Sequence, residues 1–413
     1  MRVIAGRPDG SIEILDGYRA AARNGRELVA LEIDDLLPLP EEATLTHLPG
    51  RRPVAIDSDG AAVGVAGEWL AVAAVLPVGH LRTLLPATLR EPAARRLPLY
   101  GYTAVVEHDG ELLCAAMRTD SFAWWQPARY GRVDLPAAVQ AARAALPGNR
   151  LVDHLARCAL ENRCYTAQNT FHRRYEGALP ASPACNADCL GCISLQSDGE
   201  VPAPQDRMRF APTADELTAL ADWHLRGDDA AIVSFGQGCE GEALTRDDAL
   251  VEATRRIREM HPSATIHVNT NGSKPHVLER LIDAGLNSVR ISAISFNDAV
   301  FRPYYRPIGY DLDDVIACGR LMHERGGQVC LNMLTFPGVT DVDQEVDATA
   351  RACESMGVDQ VQWRSLNVDH DWLLDVLPAL PPGAGIRAAH QRMRELLPGV
   401  EHGNFTRPVG ALV

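Results

Sequence analysis

The side chains of this sequence best suited to chemistry are three cysteines within eight residues, Cys185, Cys189 and Cys192, in the run Cys-Asn-Ala-Asp-Cys-Leu-Gly-Cys. Thiolates are soft donors favoured by zinc and by iron–sulfur clusters, and closed structural sites normally take four protein ligands. A loop that supplies three leaves one coordination position open. An open position is what catalysis at a metal requires, because a substrate or cofactor must reach the ion. Zinc, a cluster and three incidental buried thiols all remain compatible with these cysteines by themselves. The other cysteines are less pointed. Cys158 and Cys164 are six apart, which is not one helical face, and read as buried residues. Cys239 sits in a glycine-rich stretch, where a substrate-facing thiol is one reading and a small packing residue the plainer one. Cys114, Cys318, Cys330 and Cys353 fall in predicted strands or helices, where a free cysteine behaves as a small hydrophobe.

Which elements could position the cysteine loop follows from the hydrophobic pattern. From about residue 177 short apolar runs alternate with longer amphipathic segments, the pattern of repeated βα units. The runs are 178–184, 230–235, 265–269, 288–294, 328–334 and 359–363, with helices expected at 214–226, 246–260, 275–284, 311–325 and 342–356. Six strands alternating with helices imply a parallel sheet curved into a partial (β/α)6 barrel, over 177–375. In such barrels chemistry sits on the loops leaving the C-terminal strand ends, and the cysteine loop follows the first run. Arg364 and Asn367, after the sixth run, are placed where the lumen would open.

The first 150 residues read differently. Asp9-Gly10, Asp16-Gly17, Asp59-Gly60 and Asp109-Gly110 punctuate strand-like segments, so a β-rich N-terminal domain is expected over 1–150. Apolar spacing at 135–146 and 150–163 predicts helices that lead through a connector, 151–176. A C-terminal helix, 386–397, and tail complete the chain over 376–413. The aromatic residues Phe122, Trp124, Trp125 and Tyr130 are expected to pack in a core or between domains.

The chain has 413 residues, 46% hydrophobic and 23% charged, the balance of a globular protein long enough for two domains. Its formal net charge of −14 lacks the basic footprint that phosphate backbones require. A small molecule or peptide is therefore expected as substrate in preference to nucleic acid. Arg2, Arg7 and Asp9 occupy an N-terminus without a long apolar stretch, so neither secretion nor a membrane is expected and the cytoplasm is the expected location. Ten cysteines in such a chain read as thiols or metal ligands in place of disulfides.

The spacing Cys-x-x-x-Cys-x-x-Cys after a first barrel strand resembles the cluster motif of the radical SAM superfamily, and the resemblance runs over about residues 177–369. It implies an enzyme in which Cys185, Cys189 and Cys192 ligate three irons of a 4Fe-4S cluster and S-adenosylmethionine chelates the fourth. Glu240-Gly241-Glu242-Ala243 looks like the family's Gly-Gly-Glu-Pro strand end, which would put Gly241 and Glu242 at the cofactor's ammonium group. Asn269 and Asn271 lie in Asn-Thr-Asn-Gly, similar to the family's third strand end. Ser292 and Ser295 resemble the polar residues of the fourth strand that approach the ribose and carboxylate, and Arg364 is a candidate for the carboxylate. Leu48-Pro49-Gly50 and the run 336–341, Phe-Pro-Gly-Val-Thr-Asp, extend the similarity to a family of bacterial radical SAM proteins.

Two departures from the pattern matter. Gly191 replaces the aromatic residue many members carry before the third cysteine, and Ala243 replaces the proline. A second cysteine cluster after the barrel and a cobalamin-binding domain are not expected. The resemblance also implies a reducing partner such as flavodoxin or ferredoxin. The competing reading is a non-catalytic iron–sulfur or zinc-binding protein that uses the same loop.

Overall fold

A computed structural model describes residues 1–120 and 134–411; the aromatic residues Phe122, Trp124, Trp125 and Tyr130 lie outside them. The strands before residue 120 pair antiparallel throughout. Three of the Asp-Gly pairs make turns, as at Asp109-Gly110 between Val105–His108 and Glu111–Cys114. Asp16-Gly17 does not. It lies inside one strand, Ile12–Asn24, where the register against Arg2–Gly6 jumps from Val3↔Leu15 to Arg2↔Arg19. Gly17, with φ of 81°, makes a β-bulge there, which a dipeptide cannot announce apart from a turn.

Three helices lead out of this domain: α1 (Leu135–Ala145), α2 (Arg150–Leu160) and α3 (Tyr165–His172). The helix expected over 150–163 stops at Leu160, and Arg163 takes a left-handed φ of 52°. The sheet that follows is parallel and runs in chain order: Glu176–Leu179, Ile232–Phe235, Thr265–Thr270, Ser288–Ala293, Gln328–Thr335, Gln360–Ser365 and Glu401–Gly403. Between the strands lie α4 (Ala214–Leu225), α5 (Asp247–Met260), α6 (Pro275–Asp283), α7 (Asp298–Tyr305), α8 (Leu312–Glu324), α9 (Asp343–Met356), α10 (His370–Val376) and α11 (Ile386–Leu396). The helices bury single apolar stripes, as α5 does with Leu250, Ala253 and Ile257. Each large aliphatic side chain so covered stabilises by about 2 kcal/mol. Among the described residues no helix is long and apolar enough to cross a membrane.

The differences from the sequence pattern have local causes. The first strand ends at Leu179 because Pro180 and Pro183 have no N–H to extend a ladder. Helix α7 contains Pro303, which hides it from pattern reading; Asn297 caps it by accepting from Ala299 N. The seventh strand, Glu-His-Gly, has no apolar run, and its pairing with Gln360–Gln362 alone reveals it. It draws the tail into the barrel.

The β-rich N-terminal region is fastened to the parallel-sheet region by polar contacts. Arg51 pairs with Asp369 at 2.7 Å, Asn24 Nδ2 donates to Asp341 at 2.8 Å, and Arg82 N donates to Ser365 Oγ at 2.9 Å. The run 336–341 now has a structural reason. A Cβ at Gly338 would stand 2.2 Å from Gly25 Cα, so glycine lets the two backbones meet.

Burial also sets the response to acid. His267 and His370 are fully buried, and desolvation lowers both to about 4. On acidification an unfolded histidine takes up its proton near pH 6.5 while these two stay neutral down to about pH 4. The unfolded state then binds more protons, so the contribution of these two histidines to stability falls between those limits and is flat above them. The loss is roughly 2 kcal/mol per histidine at pH 5. A lower Tm at pH 5 than at pH 7 is expected, with His267→Gln reducing the difference; an unchanged Tm would contradict it.

Candidate active site

The loop that leaves the first barrel strand is built by its neighbours. Asp188 N donates to Tyr305 O at 3.1 Å and Leu190 N to Tyr304 O at 3.0 Å, so the end of α7 braces the cysteines. Ile308 N donates to Asn186 O, and Asn271 Nδ2 to Asn186 Oδ1, both at 2.9 Å. Cys192 N closes a turn onto Cys189 O. Cys185, Cys189 and Cys192 all line one cavity of about 510 Å3 at the strand ends, together with Gly241, Glu242, Asn269, Asn271, Ser292 and Arg364. The fold thus brings nine of the eleven candidate residues to one place.

Burial raises the Cys185 and Cys189 thiols above their ordinary value, so a metal must displace protons to bind there. Cys192 differs in having a cation beside it: Arg207 Nη2 donates to its sulfur at 3.2 Å, while Arg207 Nε donates to Ser194 Oγ.

The loop after the second strand locks onto the cysteine loop. Gly241 N donates to Ser182 O at 2.7 Å and Glu242 N to Ala184 O at 2.8 Å. A Cβ at Gly241 would stand 1.9 Å from Ala184 O. The glycine is needed for this backbone contact, whatever ligand also approaches it. Gly241→Ala must therefore push the cysteine loop away, and is expected to destabilise the protein by about 3 kcal/mol and reduce bound iron. Calorimetry and iron analysis check this, and an unchanged Tm with full iron would refute it.

Glu242 accepts from Thr270 Oγ1 at 2.6 Å, Leu244 N at 3.0 Å and Asn271 N at 2.8 Å. These bonds form the turn without the proline, with Ala243–Thr245 as a single 3-10 turn. In the sequence Glu240 is only the residue that stands where the Gly-Gly-Glu-Pro pattern has its first glycine. In the fold it accepts from Ala181 N, Ser182 N and Gln237 N at 2.6–2.7 Å, tying the first two strand ends together. Burial outweighs these donors and pushes its carboxyl up to about 8.

Asn269 Nδ2 donates to Ser234 Oγ and Phe235 O, and Ser292 Oγ accepts from Asn332 Nδ2. Arg364 donates to Asn404 O at 2.6 Å, and Arg290 donates to Thr406 Oγ1 at 2.6 Å and Gln362 Oε1 at 2.8 Å. The tail beyond the seventh strand thus steadies two arginines of the cavity. Ser295 goes elsewhere: fully buried, it donates to the Glu345 carboxylate and is outside the cavity lining. Asn367 is likewise outside it, with Oδ1 directed against Gly101 of the N-terminal domain. Neither position could be separated from its neighbours by strand order alone. Gly191 also finds its reason, since a Cβ there would stand 2.7 Å from the Tyr304 hydroxyl of α7.

Residues 179–352 match the family model described as Radical SAM superfamily. The chain carries a radical SAM domain. That superfamily uses a 4Fe-4S cluster and S-adenosylmethionine. The donor set fits the first group: three thiols from one loop at the wall of a cavity, with glycines admitting close backbone approach. A search of curated proteins returned no match. Solved structures that align with this chain include methylornithine synthase (PylB), at 15% identity and a TM-score of 0.38 over 65% of this chain and 77% of that one. SuiB from Streptococcus suis, bound to precursor peptide SuiA, aligns at 12% identity and a TM-score of 0.39 over 62% of this chain and 52% of its own. HydG, a maturase of the [FeFe]-hydrogenase, aligns at 13% identity and a TM-score of 0.40, over 66% and 64% respectively.

Proposed function

We propose that the protein is a radical SAM enzyme that holds a 4Fe-4S cluster on Cys185, Cys189 and Cys192 and cleaves S-adenosylmethionine in the adjoining cavity. The observation that carries this reading is the arrival of three thiols, from one loop, at a cavity walled by parallel strand ends in a radical SAM domain. When bound and reduced, the cluster would supply one electron to the sulfonium of S-adenosylmethionine, giving methionine and a 5′-deoxyadenosyl radical that takes hydrogen from the substrate.

The chain's own residues bind and orient. Glu242, held by three donors, presents a carboxylate with lone pairs for an ammonium group. Asn269, Asn271 and Ser292 offer hydrogen-bonding groups for hydroxyls, and Arg364 a cation for a carboxylate. Main-chain groups beside Gly191 are left to meet the adenine. The barrel's apolar surroundings exclude water and favour a low cluster potential. Substrates are small molecules or peptides, in keeping with the acidic charge, and electrons come from a flavodoxin or ferredoxin.

The test is anaerobic reconstitution with iron and sulfide, followed by chromatography for 5′-deoxyadenosine with and without dithionite. Reductant-dependent release of the nucleoside is the expected result. A loaded cluster that neither binds S-adenosylmethionine nor yields nucleoside would overturn the reading in favour of a structural metal protein.

A further inference from the structure

Apart from the loop cysteines, a second set of soft donors meets at the wall of the same cavity. His154 and Cys158 are four apart on α2 and so share a helical face. Cys239 reaches them from the loop after the second barrel strand. The ligand atoms of these three residues all lie within 4.8 Å of one another, and Cys158 Sγ is 3.9 Å from His154 Nε2. All three side chains are buried, at 4%, 1% and 4% exposure.

Geometry selects the kind of ion. Zinc with Zn–S of about 2.3 Å and Zn–N of about 2.0–2.1 Å places neighbouring tetrahedral ligands roughly 3.5–3.8 Å apart. Cysteines of a 4Fe-4S cluster each sit on a different iron and stand farther from one another. Among the described residues this is the group compact enough for one ion, whereas the loop cysteines do not form such a group. We infer that His154, Cys158 and Cys239 hold a single zinc ion that ties α2 to the loop after the second barrel strand.

Several features support the assignment. Met208 N donates to Cys239 O at 2.8 Å, and a Cβ at Gly238 would stand 2.6 Å from Ile193, so the loop carrying Cys239 is closely held. The donors need little rearrangement to close on an ion. Cys158 and Cys239 are hydrogen-bonded through sulfur, which lowers the Cys158 thiol and raises that of Cys239. Zn2+ entering the site displaces both thiol protons. Cys164, another soft donor, lines the same wall, with its N donating to Cys158 O at 3.0 Å. The ion's protein ligands number three, and its fourth position belongs to the side where Cys158 and Cys239 border the cavity. This site is independent of the radical reading, because it uses none of the loop cysteines.

The test compares anaerobically purified wild type with the triple variant Cys185→Ala, Cys189→Ala, Cys192→Ala, both from zinc-supplemented cells. Metal analysis should find about one zinc per chain in both, and loss of it in Cys158→Ser, Cys239→Ser and His154→Gln. Cobalt substituted in the triple variant should show sulfur-to-cobalt charge transfer. To keep the answer independent of how the variants fold, native wild type is alkylated before and after chelation of zinc, and Cys158 and Cys239 should become reactive only afterwards. Zinc absent from wild type, iron with sulfide retained by the triple variant, or a Cys158–Cys239 disulfide in the anaerobic protein would each overturn the proposal.

Discussion

Changing Cys185, Cys189 or Cys192 singly to alanine is expected to cut reductant-dependent 5′-deoxyadenosine formation by more than about 100-fold, beyond the roughly 10–100-fold typical of groups that only support a metal ligand. The fold should survive each change. All three side chains are only partly buried, and the loop's shape comes from main-chain bonds to Tyr304, Tyr305 and Ile308 and from Glu240 at its base, none of which involves a sulfur. Removing one thiol therefore removes a ligand with little loss of packing. The fully buried Cys318, Cys330 and Cys353 provide the contrast. Cys318 donates to Gly272 O at 3.1 Å and is outside the cavity, so Cys318→Ala should lower stability and spare nucleoside formation. Iron and sulfide content, the nucleoside yield and Tm, measured on the same preparations, separate the two outcomes. A single loop variant with undiminished nucleoside formation would remove that cysteine from the site.

What the sequence disclosed depended on how local the signal was. The parallel strands were legible because a strand covered on both faces is a short apolar run, as Ile232–Phe235 is. The cysteine loop was legible because its ligands lie within eight residues. The seventh strand was not, since Glu401, His402 and Gly403 carry no apolar pattern and join the sheet only through pairing with Gln360–Gln362. Ser292 and Ser295 are indistinguishable as letters, yet three positions along the chain one reaches the cavity and the other binds Glu345. Glu240 stood out only as a misfit to the family pattern, and its hydrogen bonds to Ala181 and Ser182 give the misfit a task. The grouping of His154, Cys158 and Cys239 is the least legible feature. Its two halves are remote in sequence, and α2 presents a spacing of four that gains meaning only when the second barrel strand delivers a third donor.

The clasp between the β-rich N-terminal region and the parallel-sheet region yields the largest expected loss of stability. Asp369→Ala should destabilise the protein by roughly 4 kcal/mol, combining the 3–5 kcal/mol typical of breaking a buried ion pair with about 1 kcal/mol for a helix cap, sums that overlap. Asp369 Oδ2 accepts from Arg51 Nη2 and from Leu97 N, both at 2.7 Å, while Oδ1 accepts from Asp371 N and Trp372 N at the start of α10. Arg51 is 1% exposed, so after the substitution its charge stays buried, with Asp371 at 3.4 Å the one carboxylate still beside it among the described residues and the carbonyls of Pro49 and Arg95 its remaining acceptors. Asp369→Asn keeps an acceptor for the helix and should cost less than alanine. The double variant Arg51→Met, Asp369→Leu should recover part of the loss, because it removes the stranded charge along with the pair. Nucleoside formation well below the unfolding transition should persist in all three, since neither residue lines the cavity. Denaturant unfolding measures the order expected: alanine worst, asparagine milder, the apolar pair closer to wild type. If Asp369→Ala unfolds like wild type, the pair does not hold the two regions together.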